Sequence, residues 1–347
     1  METHAPQYYS SFRCLAGECP HTCCAAGWEI PVDPGAAALY AALPGPLGDR
    51  VRAFMENDPE GEPCFPLRGG VCPFLNGEGL CHIHIQHGEG ATPLICRTHP
   101  RFCYDYGPLR ERGLCASCPE AARLILGGDM ELVSGVEEGT GEDTPPLLSP
   151  LLMARETAFA LLAAGETSLS QRLQALLLFA NEVQVLLDEN QPEAIPQLCQ
   201  FYSQEFPLLS PEGLPPRREA LGKCLDILEG LDILQPQWKA LLAQGKAQLS
   251  QSTPPPPFWG ERCAVYFLYR HWLRGVWDAD VLTWAEFAVL GTAVSALLSP
   301  LQAEGFPGAF RMFCQELEHS EGNMSALQDA LWDSLSLAEL LAVGRIE

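Results

Sequence analysis

The chain has 347 residues, 47% hydrophobic and 19% charged, with 44 acids against 21 bases and a formal net charge of −23. That balance excludes a disordered chain, and so acidic a protein is excluded from non-specific binding to nucleic acid, whose phosphates need a basic face. It is compatible with a basic partner such as a lysine-bearing protein surface, and the length predicts two or three domains.

The opening stretch, METHAPQYYSSFRC, has no basic run followed by an apolar one, so no export signal is expected there. The most apolar stretches, CAVYFLY and FAVLGTAVSALL, are bounded by charge or proline and too short to cross a bilayer. The expectation is a cytoplasmic protein with no membrane insertion. In a reducing compartment thiols stay unpaired, and clusters of them point to metal.

Eleven of the fifteen cysteines fall in the first 118 residues. They form three groups: Cys14, Cys19, Cys23 and Cys24; then Cys72, Cys81 and Cys96; then Cys103 with the pair Cys115-x2-Cys118. Cys64 stands apart. Thiolates are soft donors, and four suffice for one zinc or one iron–sulfur cluster, so eleven cannot all be ligands of one site. The two-residue gap of Cys115 and Cys118 suits one turn presenting both sulfurs to one ion. His82, His84, His87 and His99 lie among these thiols; imidazole could join the site, or a short His-x-His strand could turn His84 and His87 outward. Arg97 and Arg101 flank THP, where their guanidinium forks could hold a carboxylate or phosphate or pair with acids of this acidic chain. Trp28 is expected to pack against the metal lobe and shield it from water.

This part is rich in Gly and Pro, as a loop-rich fold organised by metal would be. It is read as a cysteine-rich metal lobe over 1–126. Residues 127–150 combine acid, glycine and proline and predict a short strand or two followed by a linker. From 151 to 347 the pattern is helical. Ser168 and Gln171 have the capping-box spacing, followed by a helical run of leucines. A second helix, FWGERCAVYFLYRHW, follows the PPPP breaker; a third, VLTWAEFAVLGTAVSALL, is apolar almost all round. Others begin near Ala309 and Asn323. Cys199, Cys224, Cys263 and Cys314 sit singly in helical context and read as small core residues. The predicted fold is therefore mainly α: a loop-rich, metal-organised lobe followed by an all-helical bundle.

No strand-to-helix Gly-x-Gly-x-x-Gly, P-loop, His-Glu-x-x-His or nucleophile elbow is present. The Cys-x3-Cys-x2-Cys spacing of radical S-adenosylmethionine enzymes is also missing, since Ala26 stands where its third cysteine would be.

The segments YYSSFRCLAGECPHTCCAAGWEIPVD and CPFLNGEGLCHIH, and then ICRTHPR, resemble the flagellin lysine N-methylases of bacteria. RCAVYFLYRHWLRGVWDAD and MFCQELEHSEGNMSALQDALW are similar to that family's two helical signatures. The N-terminal pattern by itself also resembles small zinc- or iron-chelating domains. The resemblance implies methylation of lysine ε-amines on flagellin, with S-adenosylmethionine as methyl donor and an iron–sulfur cluster, of the 4Fe–4S type, in the protein. The matching metal candidates are Cys14, Cys19, Cys23, Cys24, Cys72, Cys81 and Cys96, with Arg97 and Arg101 as candidate cofactor-binding residues. Methyl transfer to an amine needs that amine neutral; Glu29, Asp33 or a histidine could serve as base, and none is singled out. The alternative is a non-enzymatic zinc- or iron-binding or electron-transfer protein with a helical partner-binding domain.

Overall fold

The computed structural model describes residues 1–58, 61–128, 130–138, 144–210, 212–250 and 254–346. Its strands are β1 (Glu2–Pro6), β2 (Ile30–Pro31), β3 (Glu56–Asn57), β4 (Pro63–Phe65), β5 (Arg101–Tyr106), β6 (Leu109–Leu114) and β7 (Leu132–Val136). A four-stranded sheet runs β5-β6-β1-β7, and β2-β4-β3 form a small antiparallel one. In the larger sheet β1 is parallel to β6 and antiparallel to β7. Hairpin β5–β6 turns on Gly107 and Pro108, and Gly107 supplies the left-handed φ of 71° that a two-residue loop requires. The segment expected to hold a short strand contains β7; residues 139–143 of the proposed linker lie outside the described residues.

The rest is helical, as expected. Ser168 and Gln171 form the reciprocal capping box that starts helix Leu169–Asp188. The all-apolar stretch is helix Leu282–Leu298, buried from Thr283 to Leu298. It is long and apolar enough to cross a membrane by length and composition, yet 89% of its apolar window is buried inside the protein. A helix apolar all round is a core element when other helices cover it. Helices Pro257–His271 and Phe306–Leu317 pack against it. Gly291 permits the approach, since a Cβ there would fall 2.5 Å from the Phe267 ring.

Two hydrophobic cores result. The small one, Ile30 to Ala91, is built on Tyr40, Val51, Phe65, Phe74 and Ile83. The large one joins Tyr8, Phe12, Tyr106, Leu109, Leu114 and helix Pro119–Gly127 to the helical body. A bidentate ion pair fixes that union: Arg155 donates to both Glu111 oxygens at 2.6 and 2.8 Å, and both side chains are fully buried.

One local expectation is corrected. HIHIQH is a short helix, His82–His87, not a strand. Ile83 is its single buried side chain, and Gly88 ends it at φ 79°; one anchored turn closed by a left-handed glycine favours the helix.

Candidate functional site

A cavity of about 750 Å3 lies where the cysteine-rich lobe meets the helical body. All seven metal candidates line it: Cys14, Cys19, Cys23, Cys24, Cys72, Cys81 and Cys96. Cys118 joins them. The chain brings distant segments together by backbone contacts. Cys72 N–H donates to Cys24 C=O at 2.7 Å, and the Thr22 hydroxyl accepts from Cys24 N–H at 3.3 Å. Asp33 caps helix Pro34–Ala42 through Ala36 N–H and also accepts Leu94 N–H at 2.6 Å. That second bond pins the short helix carrying Cys96. Asp33 is thus committed to structure, and Glu29 does not line the cavity.

The thiols fall into two neighbourhoods. Burial pushes the Cys96 thiol up although the residue keeps accessible surface, and Cys24, Cys72 and Cys81 beside it push it further. Burial raises Cys72 to about 12, with Cys24 and Cys81 again its thiol neighbours. On the other side burial raises Cys118 to about 11, helped by Cys19 and Cys14. Cys23 bridges the sets: its hydrogen bond to Cys24 and then burial raise it, and that same bond lowers Cys24. Clustered thiols that raise one another ionise together only with a cation among them.

Among the described residues, no three His, Cys, Asp or Glu side chains converge closely enough to hold a single metal ion. The cavity's thiols are soft donors of the kind that bind zinc or iron, and His84 and His99 line it with them. Cys24, Cys72, Cys81 and Cys96 supply four thiols, the number that one zinc or one iron–sulfur cluster takes.

Other expectations resolve individually. Cys115 and Cys118 do not face one place: Cys118 lines the cavity, whereas Cys115 is buried behind its wall. The cause is a turn, Cys118 N–H to Cys115 C=O, followed at once by helix Pro119–Gly127. Cys64 is buried in the small sheet and Cys103 is exposed on β5. Cys199, Cys224, Cys263 and Cys314 are buried. His84 and His99 line the cavity; His82 and His87 do not. Arg97 and Arg101 both line it, and the Arg97 charge helps to lower the pKa of Asp33, after that carboxylate's hydrogen bonds from Leu94 and Ala36. Arg97 donates to Gly90 C=O, and Arg101 lies 4.9 Å from the Phe12 ring centre.

Sequence reasoning missed a buried polar network behind this wall. Glu318 accepts from the Tyr266 hydroxyl at 2.7 Å and His271 Nε2 at 2.8 Å, and faces Arg270 at 3.3 Å. Burial opposes its charge, but Arg270 and the His271 and Tyr266 bonds overcome that and hold its pKa at about 2. Cys115 Sγ lies 3.4 Å from both Glu318 and His319. Burial is the largest influence and raises that thiol, as does Glu318, yet Arg270 and His319 together outweigh them and its pKa is lowered. His319 Nε2 is 2.7 Å from the Ser117 hydroxyl, which lines the cavity. Trp28 stacks on the His319 ring at 4.3 Å, so it seals the joint between lobe and body, not the lobe alone. Burial, then His319 and Arg270, press His99 down to about 3, so it is neutral at pH 7. Gly27, at φ 92°, lets the chain pass Leu234 and Gln235, where a Cβ would come within 2.7 and 2.4 Å. The one signal available was acid and histidine adjoining apolar helices in YFLYRHW and LEHSEGN.

Fold and site together define a class: mainly helical proteins with a thiol-lined cavity set between a cysteine-rich lobe and a helical body. The residues beyond the lobe carry the specific identity. Residues 155–343, more than half of the chain, match the family model of the FliB lysine N-methylase C-terminal domain, and the chain belongs to that family. A stretch of 127 residues is 28% identical to the flagellar biosynthetic protein FliU of Salmonella muenchen, covering 35% of this chain and 75% of that protein. At 28% identity over 127 residues it also matches lysine-N-methylases of Salmonella choleraesuis and Salmonella typhimurium, spanning 31% of each. No solved structure matches.

Proposed function

We propose that this protein is a cytoplasmic protein-lysine N-methyltransferase. It moves a methyl group from S-adenosylmethionine to lysine ε-amines of flagellin, and carries an iron–sulfur cluster on Cys24, Cys72, Cys81 and Cys96. One observation carries the reading: both helical family signatures meet the cysteine-rich lobe in one buried network behind the cavity wall, through Tyr266, His271, Glu318 and His319 on one side and Trp28, Cys115 and Ser117 on the other, with Trp28 and Ser117 opening onto the cavity.

In the transfer, the amine nitrogen forms a bond to the methyl carbon, the carbon–sulfur bond breaks, and a proton leaves the nitrogen. Ser117, on the cavity wall, passes that proton to His319 Nε2. Trp28 and His99 form a neutral wall that favours an uncharged amine. The cluster would cross-link the cysteine loops and supply one-electron chemistry. The net charge of −23 draws a lysine-bearing protein toward the surface.

The test is purification without oxygen, assay of iron and sulfide, then incubation with S-adenosylmethionine and flagellin with and without reductant, read by mass spectrometry. Methylated flagellin lysines and bound iron are expected. Unmodified flagellin under both conditions overturns the activity, and zinc in place of iron overturns the cluster.

A further inference from the structure

Arg311 is a buried cation whose ion pair among the described residues is a long one to a solvent-facing carboxylate. It sits in helix Phe306–Leu317, only 4% exposed, and its side chain lines the thiol cavity. A guanidinium has five donors. Among the described residues Arg311 places one hydrogen bond, Nη1 to Gln315 Oε1 at 3.0 Å. Its Nε is buried and unpartnered, 3.8 Å from Glu304. Glu304 is a poor counter-ion: its side chain is 39% exposed and already bonded to His21 at 2.6 Å. A buried charge left so poorly paired is costly to keep, and its position on a cavity wall points to an anion from outside the chain.

The surroundings narrow the class of that anion. Gln235, Gln237, Gln302 and Gln315 line the same cavity, giving neutral donors and acceptors. Gln315 is held in place, its amide nitrogen bonded to Ala26 C=O at 2.9 Å. Aromatic and thiol groups, Trp28, Phe65 and Phe74 among them, line the rest. A guanidinium fork with amides about it matches a carboxylate beside an amine. The cavity's size lies within the range that encloses a molecule of drug size. Arg97 and Arg101 are more exposed and are occupied by Gly90 and Phe12.

We infer that Arg311, steadied by Gln315, is the carboxylate seat of this cavity and grips the amino-acid end of the methyl donor. The inference rests on the methyltransferase reading above.

Calorimetric titration tests it with two ligands: S-adenosylhomocysteine, which has the amino-acid end, and 5′-methylthioadenosine, which lacks it. Arg311→Met should weaken S-adenosylhomocysteine by roughly 10- to 100-fold, the loss of a charge-assisted bond, and leave methylthioadenosine within about twofold. Arg311→Lys keeps the charge without the fork and should fall between. Glu304→Gln removes the competing carboxylate and should tighten S-adenosylhomocysteine a few-fold; it covers the case of an unfolded Arg311→Met protein. Equal affinity of wild type and Arg311→Met for S-adenosylhomocysteine overturns the seat alone. So does loss of iron with discrimination between the ligands unchanged, which would make Arg311 a counter-ion of the thiolates. Wild-type protein that binds neither ligand overturns the methyl-donor reading and the seat with it.

Discussion

Replacing Glu318 with glutamine removes a negative charge from a place water cannot reach. The carboxylate is fully buried and is held by Tyr266, His271 and Arg270. Lowering its pKa from 4.5 to about 2 corresponds to roughly 3 kcal/mol of folded-state preference. A second route agrees, since removing one partner of a buried ion pair costs about 3–5 kcal/mol. At roughly 2 °C per kcal/mol for a chain of this size, Glu318→Gln should melt about 6–10 °C below wild type at pH 7, followed by circular dichroism. The sign with pH is fixed. The folded pKa is below the unfolded one, so the stabilisation is complete above about pH 4.5 and is lost as pH falls toward 2. The gap between variant and wild type should therefore shrink on acidification through that window. A melting point within about 2 °C of wild type at pH 7, or a gap that widens in acid, would refute the assignment of Glu318 as the anion that holds Arg270.

Gly27→Ala places a Cβ against Gln235 and Leu234 at a positive φ, and should cost roughly 1–3 kcal/mol in urea denaturation; an unmoved midpoint removes the claim that Gly27 seats the lobe. Ser117→Ala and His319→Asn should each slow methyl transfer roughly 100-fold with donor affinity retained, and wild-type turnover in either would end the proton route. Serine at Cys24, Cys72, Cys81 or Cys96 should cut bound iron and lower the melting temperature. Cys103→Ser, on an exposed strand, should change neither, and equal iron in all five variants would displace the proposed ligand set.

The helical body was largely legible because its signals are local. The Ser168–Gln171 cap and the unbroken apolar face of Leu282–Leu298 each lie within one element. Type and clustering pointed to eleven cysteines without choosing among them; the seven singled out by the family resemblance line the cavity, together with Cys118. Their division into two neighbourhoods was not legible, because spacing along loops carries no directional information. Cys118 and Cys115 make the point: the same two-residue gap that suits a shared ion sends one sulfur to the cavity and the other to Glu318. Ser117 and His319 are separated by 202 residues and Gln315 from Ala26 by 289. No periodicity links such partners. METHAP was read only for the lack of an export signal, yet it forms β1, because its partners β6 and β7 lie far downstream.

That strand has a consequence for how the protein is made. β1 pairs with β6 and β7, so it has no partner in the larger sheet until roughly 100 further residues have been synthesised, about 5–20 s at ordinary rates of synthesis. Seven of the eight cavity thiols lie in the intervening stretch, and only Cys118 follows β6. Through that interval the small core of residues 30–91 can form, but the cysteine region stays unclasped at its base. Joining Cys24 to Cys96 then would shorten the loop the sheet must close. On the proposed ligand set, loading and sheet closure would be coupled, and iron supply would then affect the yield of folded chain as well as its content of metal.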